Sequence, residues 1–386
     1  MIKNKPTYTL LQDRSDLHKI SQELMNEKVI GVDLEADSLF HYKEKICMLQ
    51  ISTPVRNILV DPLATGDLSS LKPVFENTGI IKIFHGADYD MRSLYRDFKI
   101  EVRSLFDTQV ASRFLGNKEI GLASLLIERF GVKVEKKYQK KDWSKRPLPD
   151  GMLSYAVQDT CHLIPLYHQL KKDLKAKGNL FIVEEECELL SKVRPAAPNS
   201  KPLFVKFKGS NRLDRRSLAV LEAMLNVRED LAFKKDRPPF KVLNNEPIME
   251  ISLKKPRTQK DLCTIKGISP RQVEAMGSSI LVKISEAMNL PEDELPKYPK
   301  KISDTVTPYI AKRIKTLREW REVRAEKLGF DDPSLVCTNA QIKALSLAEP
   351  MELEQMEKID GIRRWQKKLF GKDLYNLLHE PGTETA

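Results

Sequence analysis

The sequence predicts an α/β domain built on a mixed sheet, followed by two small all-helical domains. Three observations carry this. Short β-rich runs alternate with helical patterns as far as about residue 195. Proline-rich stretches, Arg194-Pro195-Ala196-Ala197-Pro198-Asn199-Ser200-Lys201-Pro202 and Leu295-Pro296-Lys297-Tyr298-Pro299-Lys300-Lys301, divide the chain where neither helix nor strand is tolerated. The two blocks after the first divide share landmarks in the same order. A length of 386 residues exceeds one ordinary core and fits two or three domains. The expected limits are 1–195, 205–291 and 302–381.

In the first block, Val29 to Leu34, Ile46 to Ser52 and Asn57 to Val60 read as strands. Their short links predict adjacent, antiparallel neighbours. Ile80 to Phe84 is a fourth strand, and a helix follows from about Tyr89 to Arg96. A further helix is expected from about Pro149 to Leu170. Its apolar stripe is Leu153, Ala156, Val157, Leu163, Tyr167 and Leu170.

The helical blocks resemble each other. Val227-Arg228-Glu229 and Ile265-Lys266-Gly267-Ile268 have counterparts in Trp320-Arg321-Glu322 and Ile359-Asp360-Gly361-Ile362. Gly277 and Gly371 each follow ten residues after Gly267 and Gly361. The early landmarks are offset by 93 residues and the late ones by 94. A diverged tandem repeat of one helical domain is the simplest account.

Lys and Arg number 65 against 54 Asp and Glu, a net charge of +11. That excess suits a polyanionic partner. No run of eighteen apolar residues occurs, so no membrane span is expected. The start lacks the apolar core of a secretory signal, and a cytoplasmic protein is expected. Five widely spaced cysteines without a CxxC argue against disulfide scaffolding and a structural zinc.

Asp33 and Glu35 lie two apart at the end of the first strand, so both point to one face. Paired carboxylates there repel unless a cation joins them, and oxygen donors suit Mg²⁺ or Mn²⁺. Asp90 sits past a strand, near a helix start, where mixed sheets present ligand groups. Asp88 competes with it as a ligand or a helix cap, and His85 is either a ligand or a structural imidazole. Tyr155 and Asp159 share a helix face, four residues apart. Together the four acids fit a two-metal hydrolytic site, with the tyrosine orienting a water. GxSxG and P-loop motifs are absent, which leaves serine hydrolysis and nucleotide-triphosphatase chemistry without support.

These residues resemble a known pattern. Val32-Asp33-Leu34-Glu35, Phe84-His85-Gly86-Ala87-Asp88-Tyr89-Asp90 and Tyr155-Ala156-Val157-Gln158-Asp159 resemble the three motifs of the ribonuclease D family. That family belongs to the DEDD exonuclease superfamily, in its tyrosine subtype. Cys47 to Ser52, Leu105-Phe106-Asp107-Thr108 and Asp142 to Leu148 are further typical landmarks. The helical blocks resemble the HRDC domain, the second copy less closely.

The resemblance implies a ribonuclease-H-like 3′–5′ exonuclease fold with two HRDC-like domains. It implies metal ligands at Asp33, Glu35, Asp90 and Asp159, a catalytic tyrosine at Tyr155, and two divalent ions, Mg²⁺ or Mn²⁺. It implies RNA as partner, tRNA precursors and other single-stranded 3′ ends, with release of nucleoside 5′-monophosphates. No coiled-coil heptad calls for a dimer, and a monomer is expected. Two rival expectations stand beside it: a 3′–5′ DNA exonuclease, and a catalytically silent RNA-binding protein.

Basic groups are expected to guide the strand. The segment 133–146 holds seven Lys or Arg against two acids, and Lys312, Arg313, Lys315, Arg318, Arg321 and Arg324 line one helix. Trp143 is expected to pack beside Pro147, Trp320 to join a core, and Phe40 and Tyr42 to stack on a terminal base.

Overall fold

The computed structural model describes residues 7–134, 137–196, 201–299, 306–348, 355–356, 359 and 361–379. Lys136, residues 197–200 and 300–305, and Asp360 figure in the sequence expectations and lie outside this set. The chain forms two units. One takes in the chain up to Ala36, Ile46–Pro195 and the chain from Ser303; the other takes in Asp37–Lys45 and Ala196–Ile302.

The first unit contains a six-stranded sheet of β1 (Thr9–Leu11), β2 (Val29–Ala36), β3 (Ile46–Ser52), β4 (Asn57–Val60), β5 (Ile81–Phe84) and β6 (Leu105–Asp107). Its order is β1-β4-β3-β2-β5-β6. β2, β3 and β4 are antiparallel neighbours, as their short links predict, and the other pairings are parallel. Three-residue β1 and β6 complete the sheet; so short a run carries no periodicity.

Alternation along β2 decides where the site lies. Ile30, Val32 and Leu34 are buried in the main core, which leaves Gly31, Asp33 and Glu35 on the opposite face. Asp33 pairs with Gln50 and Glu35 with Met48 across the β2–β3 ladder, and the register shifts just past Glu35. Such a bulge turns the strand end beside the acids.

The long helix expected over Pro149 to Leu170 is two helices. The main helices of this unit are α1 (Arg14–Leu24), α2 (Asp88–Phe98), α3 (Thr108–Phe114), α4 (Leu122–Phe130), α5 (Asp150–Thr160), α6 (Leu163–Lys177) and α7 (Leu180–Ser191). Pro165 explains the break. It has no N–H for the Cys161 carbonyl and its ring would clash there, whereas the first turn of α6 tolerates it.

Gly31 sets how closely α5 and α6 approach β2. A Cβ at this position would lie 3.0 Å from the Thr160 carbonyl oxygen and 3.1 Å from Leu163 Cβ. The Ser52 and Thr160 hydroxyls bond at 2.6 Å across the same contact. A second core of Met48, Leu59, Trp143, Met152, Tyr155 and Ala156 fills the space under α5.

In the second unit, α8 (Arg215–Lys234), α9 (Asn245–Lys254) and α10 (Pro270–Met288) enclose a core of Leu221, Met224, Ile248, Ile251 and Ile280. The Asp37–Lys45 segment belongs here. Lys241 Nζ lies 4.3 Å from the Phe40 ring centre, and Tyr42 donates to Glu229 and meets Phe233 edge-on. These contacts engage the two rings expected to stack on a terminal base.

The last helices are α11 (Pro308–Leu328), α12 (Asn339–Ala348) and α13 (Arg364–His379), and they share the first unit's core. Phe114 of α3 meets Phe330 and Trp365 edge-on. Trp365 Nε1 donates to Glu186 at 2.8 Å, and Glu185 accepts the backbone N–H groups of Arg364 and Trp365. The repeat shows in the backbone: Gly267 and Gly361 both adopt positive φ, at 86° and 80°.

The basic face expected on α11 is divided: Lys312, Lys315 and Arg318 are exposed, whereas Arg313, Arg321 and Arg324 turn to protein partners. Arg313 is 2% exposed and donates to the Ser346 and Leu378 carbonyls. Arg321 donates to the Cys337 carbonyl, and Arg324 pairs with Asp373. Buried helix ends lack partners for their last carbonyls, and arginine supplies them. Trp320 meets Phe370 edge-on, as a core residue. No described helix is long and apolar enough to cross a membrane.

Candidate active site

Asp33, Glu35 and Asp159 each offer a carboxylate oxygen, and these atoms lie within 4.8 Å of one another. Their separation in sequence is closed by the packing of α5 on β2. Tyr155 lies one turn earlier on α5, close enough for the charges of Asp159 and Glu35 to act on its hydroxyl. Asp33, Glu35, Tyr155 and Asp159 line a cleft of about 340 Å³ with His85, Gly121, Leu122, Ala123, Val134 and Gln139. Asp90 is 7% exposed in the first turn of α2, close enough for its charge to act on Glu35.

Asp88, its competitor, faces away and holds Arg92 through two bonds of 2.7 and 2.9 Å. It does not cap α2, whose N-cap is Ala87. Four of the five residues expected at the site thus line one cleft, Asp90 lies near them outside its lining, and the ambiguous acid turns to Arg92.

The electrostatics are those of an acid cluster without a counter-charge. Burial, followed by the charges of Asp33, Asp159 and Asp90, pushes Glu35 up to about 10. Burial raises Asp33, Asp90 and Asp159 too, and the Asp33 charge adds to the shift of the last two. Burial also raises Tyr155, so its hydroxyl keeps its proton. Oxygen donors in mutual repulsion, reached from an open cleft, are the donor set hard divalent cations take. The residues present therefore fit such cations.

Asp107 organises the turn before α2. Its Oδ1 accepts N–H bonds from Gly86, Gln109 and Val110 at 3.0, 2.7 and 3.1 Å, and its Oδ2 accepts from Ala87 at 2.7 Å. A carboxylate with four donors can be fully buried without a cation. In sequence Asp107 is only a landmark; no helix is expected after it, and its role as the cap of α3 appears with that helix. Gln50, in sequence only part of the Cys47 to Ser52 landmark, is a further neighbour of the acids. It lies beside Asp33 with both amide atoms buried and without a protein partner.

Arg146 is not available to a strand. It grips Asp61 through bonds of 2.6 and 2.7 Å and donates to the Cys47 and Trp143 carbonyls. Trp143 is fully buried, with its ring centre 6.2 Å from that of Tyr155. It backs the tyrosine, a neighbour the sequence did not suggest. Lys133, Lys137, Lys140, Lys141 and Lys145 remain exposed.

The fold and the acid cluster define the class first. A family model described as 3′-5′ exonuclease matches residues 8–175, and the HRDC domain model matches 217–284 and 311–378. Ribonuclease D of Pseudomonas paraeruginosa is 26% identical over 98% of this chain and 99% of its own. The catalytic core of RRP6 from Trypanosoma brucei is 31% identical over 75% of this chain and 81% of that one, with a TM-score of 0.67. The Escherichia coli RNase D structure is 24% identical and shares the fold over 97% of this chain and 99% of that one, with a TM-score of 0.73.

The chain belongs to the ribonuclease D family, 3′–5′ exoribonucleases that carry HRDC domains.

Proposed function

We propose that this exoribonuclease hydrolyses RNA from its 3′ end by a two-metal-ion reaction and trims tRNA precursors among other single-stranded ends. The observation that carries the reading is the convergence of Asp33, Glu35 and Asp159 within 4.8 Å of one another, with Tyr155 lining the same cleft and Asp90 near enough to feel the Asp33 charge. Asp33, Glu35 and Asp159 would hold one Mg²⁺ or Mn²⁺ ion, and Asp33 and Asp90 the other. When bound, such ions make water a nucleophile near neutral pH and stabilise the departing oxygen.

The protein's own groups do the rest. Tyr155, still protonated and backed by Trp143, orients the attacking water by hydrogen bond, with Glu35 assisting. Attack in line on the last phosphodiester expels the 3′ oxygen of the shortened RNA and frees a nucleoside 5′-monophosphate. Gly121, Leu122 and Ala123 bring the uncapped start of α4 into the same cleft, where backbone N–H groups favour phosphate. The exposed lysines of 133–145 extend a positive surface for the backbone, without reading bases. Within this reading the chain is a cytoplasmic monomer with domains at 1–195, 205–291 and 302–381.

The test uses RNA labelled at either end, matching DNA and a tRNA precursor, with Mg²⁺, Mn²⁺ or chelator. The expected result is metal-dependent release of mononucleotides from the 3′ end of RNA. Tyr155→Phe, which removes only the orienting hydroxyl, should lower turnover by roughly 10²-fold with RNA binding unchanged. Equal degradation of DNA would remove the RNA assignment, and binding without cleavage would favour the silent RNA-binding alternative.

A further inference from the structure

His85 lines the acid cleft, yet the hydrolysis outlined above gives it no task. Its hydrogen bonding settles which nitrogen carries the proton. Thr108 Oγ1 donates its single hydrogen to the Phe84 carbonyl at 3.0 Å. The same oxygen lies 2.9 Å from His85 Nδ1, and it can meet that nitrogen only as an acceptor. His85 therefore carries its proton on Nδ1, and Nε2 keeps a lone pair. Among the described residues no protein group bonds Nε2. Burial disfavours the charged ring, which keeps the arrangement neutral.

His85 Nε2 thus offers the cleft a neutral acceptor close to carboxylates. Phosphate oxygens are themselves acceptors and gain nothing from it. The donors on a terminal nucleotide are its ribose hydroxyls and the N–H groups of its base. Base donors differ from one nucleotide to the next, whereas the hydroxyls are common to every RNA end. We infer that His85 Nε2 accepts a hydrogen bond from a ribose hydroxyl of the 3′-terminal nucleotide, making His85 a determinant of sugar specificity. The inference rests on the exonuclease reading above. A site built to bond a hydroxyl discriminates against the analogue without it, and the 2′-hydroxyl is what separates RNA from DNA.

Three RNAs of one sequence test this, ending in a ribose, a 2′-deoxy or a 3′-deoxy nucleotide. Each is paired with wild type, His85→Ala and His85→Gln. Gln keeps a side-chain acceptor and guards against a misfolded Ala variant. The expected result is a loss of about tenfold in kcat/KM for His85→Ala on the ribose end, with partial rescue by Gln. On the end lacking the bound hydroxyl, wild type and His85→Ala should agree within about twofold, and which deoxy end this is identifies the hydroxyl. Equal losses on all three ends, no loss on any, or a loss that follows the terminal base would overturn the inference. Failure of the wild type to release nucleotides from any RNA is a different result; it removes the exonuclease reading and this inference with it.

Discussion

Asp33→Asn is expected to abolish turnover while leaving a folded protein that still binds RNA. The expected loss is about 10³-fold or more, equivalent to about 4 kcal/mol of barrier. Asp33 is singled out because its charge raises Glu35, Asp90 and Asp159 alike, so it sits among the other three. A carboxylate so placed is the one both cations would share. Asparagine preserves the shape and removes the charge. The same change relieves the repulsion that destabilises the cation-free cluster. The variant should therefore melt at a higher temperature than wild type in chelator at pH 8. Activity and stability should move in opposite directions, which separates a lost ligand from a damaged fold. Single-turnover rates and thermal melts on one preparation check both halves. A variant retaining a tenth of wild-type turnover with metal in excess would sink the assignment of Asp33.

Stability in chelator is expected to fall as pH rises, and added metal to reverse the fall. All four acids titrate higher in the folded chain than in the unfolded one, where carboxyls ionise near pH 4. Between about pH 4 and 10 the folded chain therefore binds more protons, and stability declines across that window as pH increases. The contribution is whole below the unfolded values and lost as pH passes through the folded ones, with Glu35, at about 10, the last to ionise. Cations bind the ionised carboxylates, so their stabilising effect grows in the same direction. At a hundred times its dissociation constant, a bound ion contributes about 2.7 kcal/mol. For a domain of this size that is a shift of roughly 5–10 °C. The difference between melts in Mg²⁺ and in chelator should be near zero at pH 5 and of this size at pH 8.5. A difference independent of pH would show that the cations bind elsewhere.

Much of the site was legible because its residues sit at the ends of strongly patterned elements. The apolar run before Asp33 defined β2, and period two then placed Glu35 on the same face. The four-residue spacing of Tyr155 and Asp159 defined a helix face. No local pattern could show that these faces meet, since their approach depends on Gly31 accepting the Thr160 carbonyl. Pro165 did mark the break between α5 and α6, but the apolar stripe runs through it and outweighed it. The packing of α11 to α13 on the first unit depends on Phe114, Phe330 and Trp365, whose contact spans more than two hundred residues. Charge counting also overstated the basic surface. Arg146 and Arg313 look like phosphate contacts in sequence, yet both serve internal carbonyl and carboxylate groups.

The most direct measurement is anomalous diffraction from crystals soaked in Mn²⁺ and a nucleoside 5′-monophosphate. The account predicts two manganese peaks: one among Asp33, Glu35 and Asp159, the other between Asp33 and Asp90. Peaks absent from these carboxylates, with manganese bound elsewhere in the same crystal, would contradict it.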